Sequence, residues 1–270
     1  IDISIYLYKY KIQKSLLTNI YLMCSVFKHY NIRPIFVFDG RAGIEKMDEL
    51  KKRREEKRSA KYEYYKIIES NDIINDTMKN YLVQLEKKFT RITKEDILNV
   101  KLLLDNYGVS YYQAEKEADE LCAYLIHNKY GDTIISDDMD LFAYGCPRII
   151  RHLDIVNHTC LSYDINSILL KLNMSMNNFK WLCIFAGTDY YDNDKNIFYY
   201  YNKYKKLKMN EDFKETLFEL NKDNIDKLNN IFNIFNLSKN KIAFSIKENE
   251  TYNKELLYDL LEKENFIFVK

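Results

Sequence analysis

The chain has 270 residues, with 41 Lys and Arg against 40 Asp and Glu, a formal charge of +1 and 47% hydrophobic residues. That length can bury a sizeable core, while only 6 Gly and 2 Pro exclude a collagen-like or Pro/Gly-rich disordered chain. The even charge balance excludes a uniformly basic nucleic-acid coat, and no apolar run reaches the ~18 residues of a membrane-spanning helix.

Taken in order, residues 1–4 read as a short opening strand and 15–30 as an amphipathic helix. The run PIFVF (34–38) is continuously apolar and stops at Asp39-Gly40, a turn signal. Residues 41–94 are long, charged and helix-prone, with ten basic and six acidic residues between Arg41 and Lys66. Charge alone makes this a solvated helical hairpin. Helical patterns follow at 94–107, 117–128 and 177–185, with a strand at 133–135 and a hairpin from 149–153 and 158–162. Residues 195–270, rich in Lys, Asn, Tyr and Phe, read as helical. Strands alternating with helices predict an α/β fold on a mainly parallel sheet with helices on both faces.

No fixed repeat or Pro/Gly/Ser linker appears, so one physical domain is expected, with regions at 1–105, 106–190 and 191–270. The five cysteines (Cys24, Cys122, Cys146, Cys160, Cys183) form no CxxC pair and predict reduced intracellular thiols. The opening IDISIYLYKYKIQ has no leader pattern and no initiator Met, so the expectation is a chain that begins inside a longer protein.

In open α/β sheets ligands gather at the carboxyl ends of the strands. Acids stand at those places repeatedly: Asp2, Asp39, Glu117, Asp119, Asp138, Asp140 and Asp189. Seven like charges cannot share a small site without cations, and a set with no Cys or His favours Mg²⁺ or Mn²⁺ over zinc. Two such ions suit phosphodiester hydrolysis. Taken singly, an Asp at a strand end is a cap or turn residue, and Glu117 and Asp119 would face apart on a regular helix.

At these residues the chain resembles the flap endonuclease (XPG-type) family of structure-specific 5′-nucleases. PIFVFDGRAGIEKMDELKKR (34–53) resembles the family's N-terminal block, and GVSYYQAEKEADELCAYL (108–125) its internal block. SDDMDLFAYGCPRIIRHL (136–153) resembles the stretch with two metal-binding acids, and LCIFAGTDY (182–190) the block closed by the last of them. The four stand in family order.

The resemblance implies a PIN-like nuclease fold with an inserted helical arch at about 41–94 and a helical C-terminal region. It implies two Mg²⁺ ions, replaceable by Mn²⁺, held by the seven carboxylates. Asp119 stands where many relatives have Glu. Lys46 and Arg53 match a basic pair that holds the scissile phosphate. Tyr8 matches a Tyr that stacks on a nucleotide, and Lys87, Lys88, Arg91 and Lys94 match phosphate-facing residues beside the arch, which bring affinity without sequence preference. The implied partner is DNA with a 5′ flap or a single-strand/duplex junction, in replication and repair and hence the nucleus. No membrane partner is expected, the chain is read as a monomer, and a sliding clamp would be reached through a tail not present here.

One stretch departs from the family. Where relatives carry a Gly-hydrophobic-Gly hairpin that grips duplex DNA, Asn196, Ile197 and Phe198 stand at the head of KNIFYYYNKYKKLK (195–208). Glycine permits close backbone approach that Asn and Phe do not. This leaves two rivals: a general 5′→3′ exonuclease on DNA or RNA, and a catalytically silent nucleic-acid-binding relative. YNKELLYDLLEKENF (252–266) vaguely resembles the family's late helix.

Overall fold

A computed structural model describes residues 1–41, 43–70, 75–207, 212–220, 225–237 and 252–268. They form two compact units, one of Ile1–Asp2, Val37–Gly43 and Gln113–Ser245, the other of Ile3–Phe36, Ile44–Tyr112 and Ile246–Lys270.

The first unit carries a three-stranded sheet and the last residues of two further strands. Strand β1 (Ile35–Phe38) pairs with β2 (Ser110–Gln113), while β3 (Ile134–Ile135), β4 (Arg148–Asp154) and β5 (Thr159–Asp164) form a three-stranded sheet. β3 and β4 run parallel, and β4 and β5 form the expected antiparallel hairpin. Residues 1–2 lie between β1 and β3. Asp2 bridges Val37 in parallel and donates its N–H to the Ile135 carbonyl at 3.2 Å, and Val37 N–H reaches the Ile1 carbonyl at 2.8 Å. The α/β class with parallel central strands is therefore as the sequence predicts.

Two local expectations change. The strand expected over 1–4 shrinks to the single bridge at Asp2, because helix α1 (Ser4–Ile12) begins at once. Tyr6, Leu7 and Tyr10 are buried together from that helix, a spacing that a strand would send to opposite faces. β2 was not foreseen. It is short and half-buried, so it carries no apolar run to betray it.

Helix α6 (Ala118–His127) follows β2, and the short α7 (Asp140–Ala143) follows β3. After β5 come α8 (Ile165–Leu172) and α9 (Met176–Ala186), around which α10 (Ile197–Lys205), α11 (Phe213–Glu219) and α12 (Ile225–Ile234) pack. Trp181 of α9 stacks on Phe232 at 4.5 Å and meets Phe218 edge-on at 5.2 Å. The buried Lys180 donates to the Phe235 carbonyl at 2.9 Å, which satisfies an ammonium that burial would otherwise disfavour. The described C-terminal region of this unit is helical. Lys208, in the Tyr/Lys run, lies outside the described residues.

The second unit is mainly helical. α2 (Leu16–His29) packs on α1 and on α5 (Lys94–Tyr107), and α13 (Lys254–Glu262) packs on α2 and α5. Ser15 makes no side-chain cap at the start of α2. Glu264 does that work, accepting Leu17 and Thr18 N–H at 3.0 and 2.8 Å, where the helix dipole favours an anion. A Thr93/Asp96 capping box opens α5, and Gly108, at φ 78°, closes it in the left-handed conformation.

The charged stretch forms a helical hairpin. A single 3₁₀ turn (Ile44–Lys46) leads into α3 (Met47–Glu69), which packs on α4 (Asp76–Phe89). Along α3 only Ala60 is buried, and along α4 only Leu85. Tyr81 donates to Glu63 at 2.6 Å, and Tyr64 meets Phe89 edge-on at 5.3 Å. Residues 71–74 of the arch lie outside the described residues.

Candidate functional site

The first unit gathers carboxylates at the ends of its strands. Asp2, held between β1 and β3, is buried, and its Oδ2 accepts the Ser136 hydroxyl at 3.1 Å. That hydroxyl also accepts Asp138 N–H at 3.1 Å, and Asp138 Oδ1 accepts Asp140 N–H at 2.7 Å. A chain of hydrogen bonds thus runs from Asp2 through the turn after β3 to the start of α7.

Asp39 leaves β1 and accepts the Ala118 N–H at 2.9 Å, so it satisfies an amide at the head of α6. Gly40 makes this approach possible. Its N–H bonds to the Lys116 carbonyl, and a Cβ there would stand 2.1 Å from the Ala114 carbonyl oxygen. Gln113 Nε2 donates to the Asp39 carbonyl and closes the same corner.

Glu117 is the N-cap of α6 in extended conformation, and Asp119 sits in the first turn. The two-residue spacing therefore does not set them on opposite sides of one helix, because Glu117 is outside it. Glu117 Oε2 accepts the Tyr190 hydroxyl at 2.7 Å, and Tyr190 lies on the 188–191 turn beside Asp189.

Asp119 is the electrostatic centre. It is buried, and its Oδ1 has no hydrogen-bond partner. Burial, then the charges of Asp2, Asp138, Asp140 and Asp39, hold its carboxyl well above the usual carboxylate range. The same field reaches the elements behind it. Burial, with Asp2, Asp119 and Asp39 adding to it, pushes the Cys122 thiol of α6 up to about 12. Burial and then Asp140 push Cys183 of α9 up to about 12. Burial raises the Tyr144 and Tyr190 hydroxyls too, with Glu117 and Asp140 contributing to both.

Five acids from four separate segments thus act on one another at Asp119. Among the described residues, no three His, Cys, Asp or Glu side chains stand in ready ligating geometry. The donors are all hard oxygens, and one buried oxygen is unpartnered, which suits a hard divalent cation better than a soft metal.

Lys46 and Arg53 belong to the second unit. Lys46 is buried at the end of the 3₁₀ turn, and Arg53 Nε on α3 donates to Glu49 Oε1 at 2.8 Å. Tyr8 on α1 is exposed, with the Lys57 ammonium of α3 5.2 Å from its ring centroid. Lys87 and Lys88 end α4, Arg91 lies in the connection and Lys94 opens α5, all exposed. Asn196, one of the residues that depart from the family's glycine hairpin, caps α10, its Oδ1 accepting Tyr199 N–H at 3.1 Å.

Sequence reasoning missed Ser136 and Tyr190. A serine between a strand and an Asp-Asp pair was a usable signal. With 24 tyrosines in the chain, Tyr190 had none.

Residues 1–60 match the XPG N-terminal domain, and residues 108–189 match the XPG I-region. Flap endonuclease 1-A of Sorghum bicolor is 32% identical over 169 residues, which are 62% of this chain and 43% of that protein. The chain thus spans less than half the length of the curated relatives it matches. Among solved structures, the catalytic core of Rad2 in complex with a DNA substrate superimposes with a TM-score of 0.62 at 20% identity, covering 97% of this chain and 86% of that one. Flap endonuclease-1 of Methanococcus jannaschii gives 0.57 at 20% identity, over 92% and 80%. At such identities these two likenesses establish the fold.

Proposed function

The chain belongs to the XPG family of 5′-nucleases, and from that premise we propose that it hydrolyses a DNA phosphodiester near a single-strand/duplex junction, with 5′-flap removal in replication and repair as its task. The observation that carries this reading is the convergence of charge on Asp119, whose buried Oδ1 has no partner. A protein that only bound nucleic acid would gain nothing from acids that repel one another and the phosphate backbone alike.

In this reading Asp2, Asp39, Glu117, Asp119, Asp138, Asp140 and Asp189 hold two Mg²⁺ ions, directly or through water, with Mn²⁺ as a substitute. Bound there, such ions would supply an activated water and charge stabilisation at the phosphate. The chain's own residues do the rest. Ser136 and Asp2 hold the acidic turn in register, Asp39 fixes the head of α6, and Tyr190 orients Glu117. Lys46 and Arg53 offset charge on the scissile phosphate, and Arg53 exchanges Glu49 for that phosphate when substrate arrives. Tyr8 stacks on a base next to the cut, while Lys87, Lys88, Arg91 and Lys94 track the single strand.

A 5′→3′ exonuclease is the second reading, favoured by one observation. Asn196 begins a capped helix, so no glycine-rich backbone is offered to a downstream duplex. The test uses full-length protein and a 5′-end-labelled flap duplex, with Mg²⁺, Mn²⁺ or EDTA. Metal-dependent cleavage near the junction that is lost in Asp138→Asn/Asp140→Asn supports the flap reading. Stepwise short products support the exonuclease. Binding without cleavage in either metal removes both.

A further inference from the structure

The turn that carries Asp138 and Asp140 has a second face, which the reaction just described does not use. Ser136 turns its hydroxyl to Asp2 and to the Asp138 N–H, while Asp137 turns toward β4. Asp137 Oδ1 accepts the His152 N–H at 2.6 Å and lies 3.6 Å from the His152 ring. The Asp137 carbonyl accepts Arg151 Nη2 at 2.8 Å, and Arg151 Nη1 stands 2.8 Å from Met139 Sδ. One guanidinium therefore grips the residue before Asp138 and the residue after it.

The backbone is bent to make this grip. The pairing of β4 with β5 slips between Arg151 and Asp154, and His152 has φ +53°, a conformation that strains a side-chain-bearing residue. The irregularity takes the His152 amide out of the ladder and aims it at Asp137, the re-aiming that bulges perform beside active sites. Arg151 Nε is buried without a hydrogen-bond partner. The guanidinium is thus placed to suit the turn, at the expense of its own hydrogen bonding.

We infer that Asp137 and Arg151 are positioning residues, a clamp that holds the Asp138–Asp140 turn against Asp119 while a divalent cation is bound and released. The inference rests on the nuclease reading above. Groups behind a ligand, which fix its orientation, typically change metal affinity or activity by ~10–100-fold when removed.

The test uses the full-length protein with Arg151→Met, Asp137→Ala and Asp137→Asn. Mn²⁺ binding is measured by calorimetry without DNA, thermal midpoints in EDTA, and single-turnover cleavage of a flap duplex across Mg²⁺ concentrations. The clamp predicts a roughly tenfold loss of Mn²⁺ affinity in Arg151→Met and Asp137→Ala. It also predicts a matching rise in the Mg²⁺ needed for half-maximal rate, with unchanged DNA affinity and midpoints within a few degrees of wild type. Asp137→Asn, whose amide oxygen still accepts the His152 N–H, retains wild-type affinity. Unchanged Mn²⁺ affinity in Arg151→Met, while wild type binds metal and cleaves, overturns the clamp alone. Losses that track a fall in midpoint, with no rescue by Asn, overturn it in favour of plain stabilisation. A wild-type protein that neither binds Mn²⁺ nor cleaves overturns the nuclease reading, and the clamp with it.

Discussion

The Ser136 hydroxyl donates to the Asp2 carboxylate at 3.1 Å and is fully buried, joining two positions 134 residues apart. Because the same oxygen accepts Asp138 N–H, one small side chain couples the strand position of Asp2 to the acidic turn. Ser136→Ala removes a donor from one and an acceptor from the other, at a cost of about 1–3 kcal/mol. The urea midpoint should fall with an unchanged denaturant slope. A midpoint equal to wild type would show that this link adds nothing to stability.

Gly40 offers a sharper steric test. A Cβ there meets the Ala114 carbonyl oxygen at 2.1 Å and Glu115 backbone atoms at 2.5 Å. Backbone cannot rotate aside as a side chain would, so the β1 exit must shift and carry Asp39 with it. Gly40→Ala should cost at least ~2 kcal/mol and reduce metal-dependent cleavage further than instability explains. Gly131→Ala is the control, since its Cβ meets only Ile126 Cδ1 at 3.9 Å. Equal thermal midpoints for the two variants would contradict the steric account.

Asp119 sets stability against function. Burial and four neighbouring acids disfavour its charged form, so metal-free protein is strained where the cation is needed. Asp119→Asn keeps the shape and removes the charge. In EDTA its thermal midpoint should rise by a few degrees, as commonly happens when a strained functional site is relieved. Metal-dependent cleavage and the stabilisation of the folded protein by Mn²⁺ should both be lost. A midpoint lower than wild type in EDTA would mean that the carboxylate is already compensated within the chain.

Much of this was legible because the signals were local. The run PIFVF ending at Asp39-Gly40 marked a strand and its turn, and the helical pattern at 94–107 marked the helix found there. Five of the acids (Asp39, Glu117, Asp119, Asp138 and Asp140) were legible by position, since they follow a strand or stand at the head of a helix. The place of Asp2 among them was not, because residues 1–2 lie between β1 and β3, a pairing no local pattern encodes. Strand β2, half-buried and without an apolar run, was hidden for the same reason. The Arg151 grip was invisible because a slip in the β4–β5 register sets it, and register follows from tertiary pairing. Glu264 capping a helix 247 residues away is a further case of long-range placement overriding local cues.

The ion pair between Lys11 and Asp96 gives a prediction in pH. Lys11 Nζ stands 2.7 Å from Asp96 Oδ1, with side chains 37% and 13% exposed. Burial acts to raise the Asp96 carboxyl, but the bonds from Lys11 and Thr93 outweigh it and hold it below the usual carboxylate range. A depressed folded value means that this stability is complete above the unfolded pKa of about 4 and is lost as pH falls through the folded one. Lys11→Met should therefore cost about 0.5–1 kcal/mol near neutral pH, a modest figure because Lys11 is partly exposed. That difference from wild type should shrink as Asp96 takes up its proton in acid. Urea unfolding of both proteins at pH 7 and at stepwise lower pH measures it. A gap that stays constant into acid would place the cost in lost packing of the Lys11 stem, with no part for the carboxylate's charge.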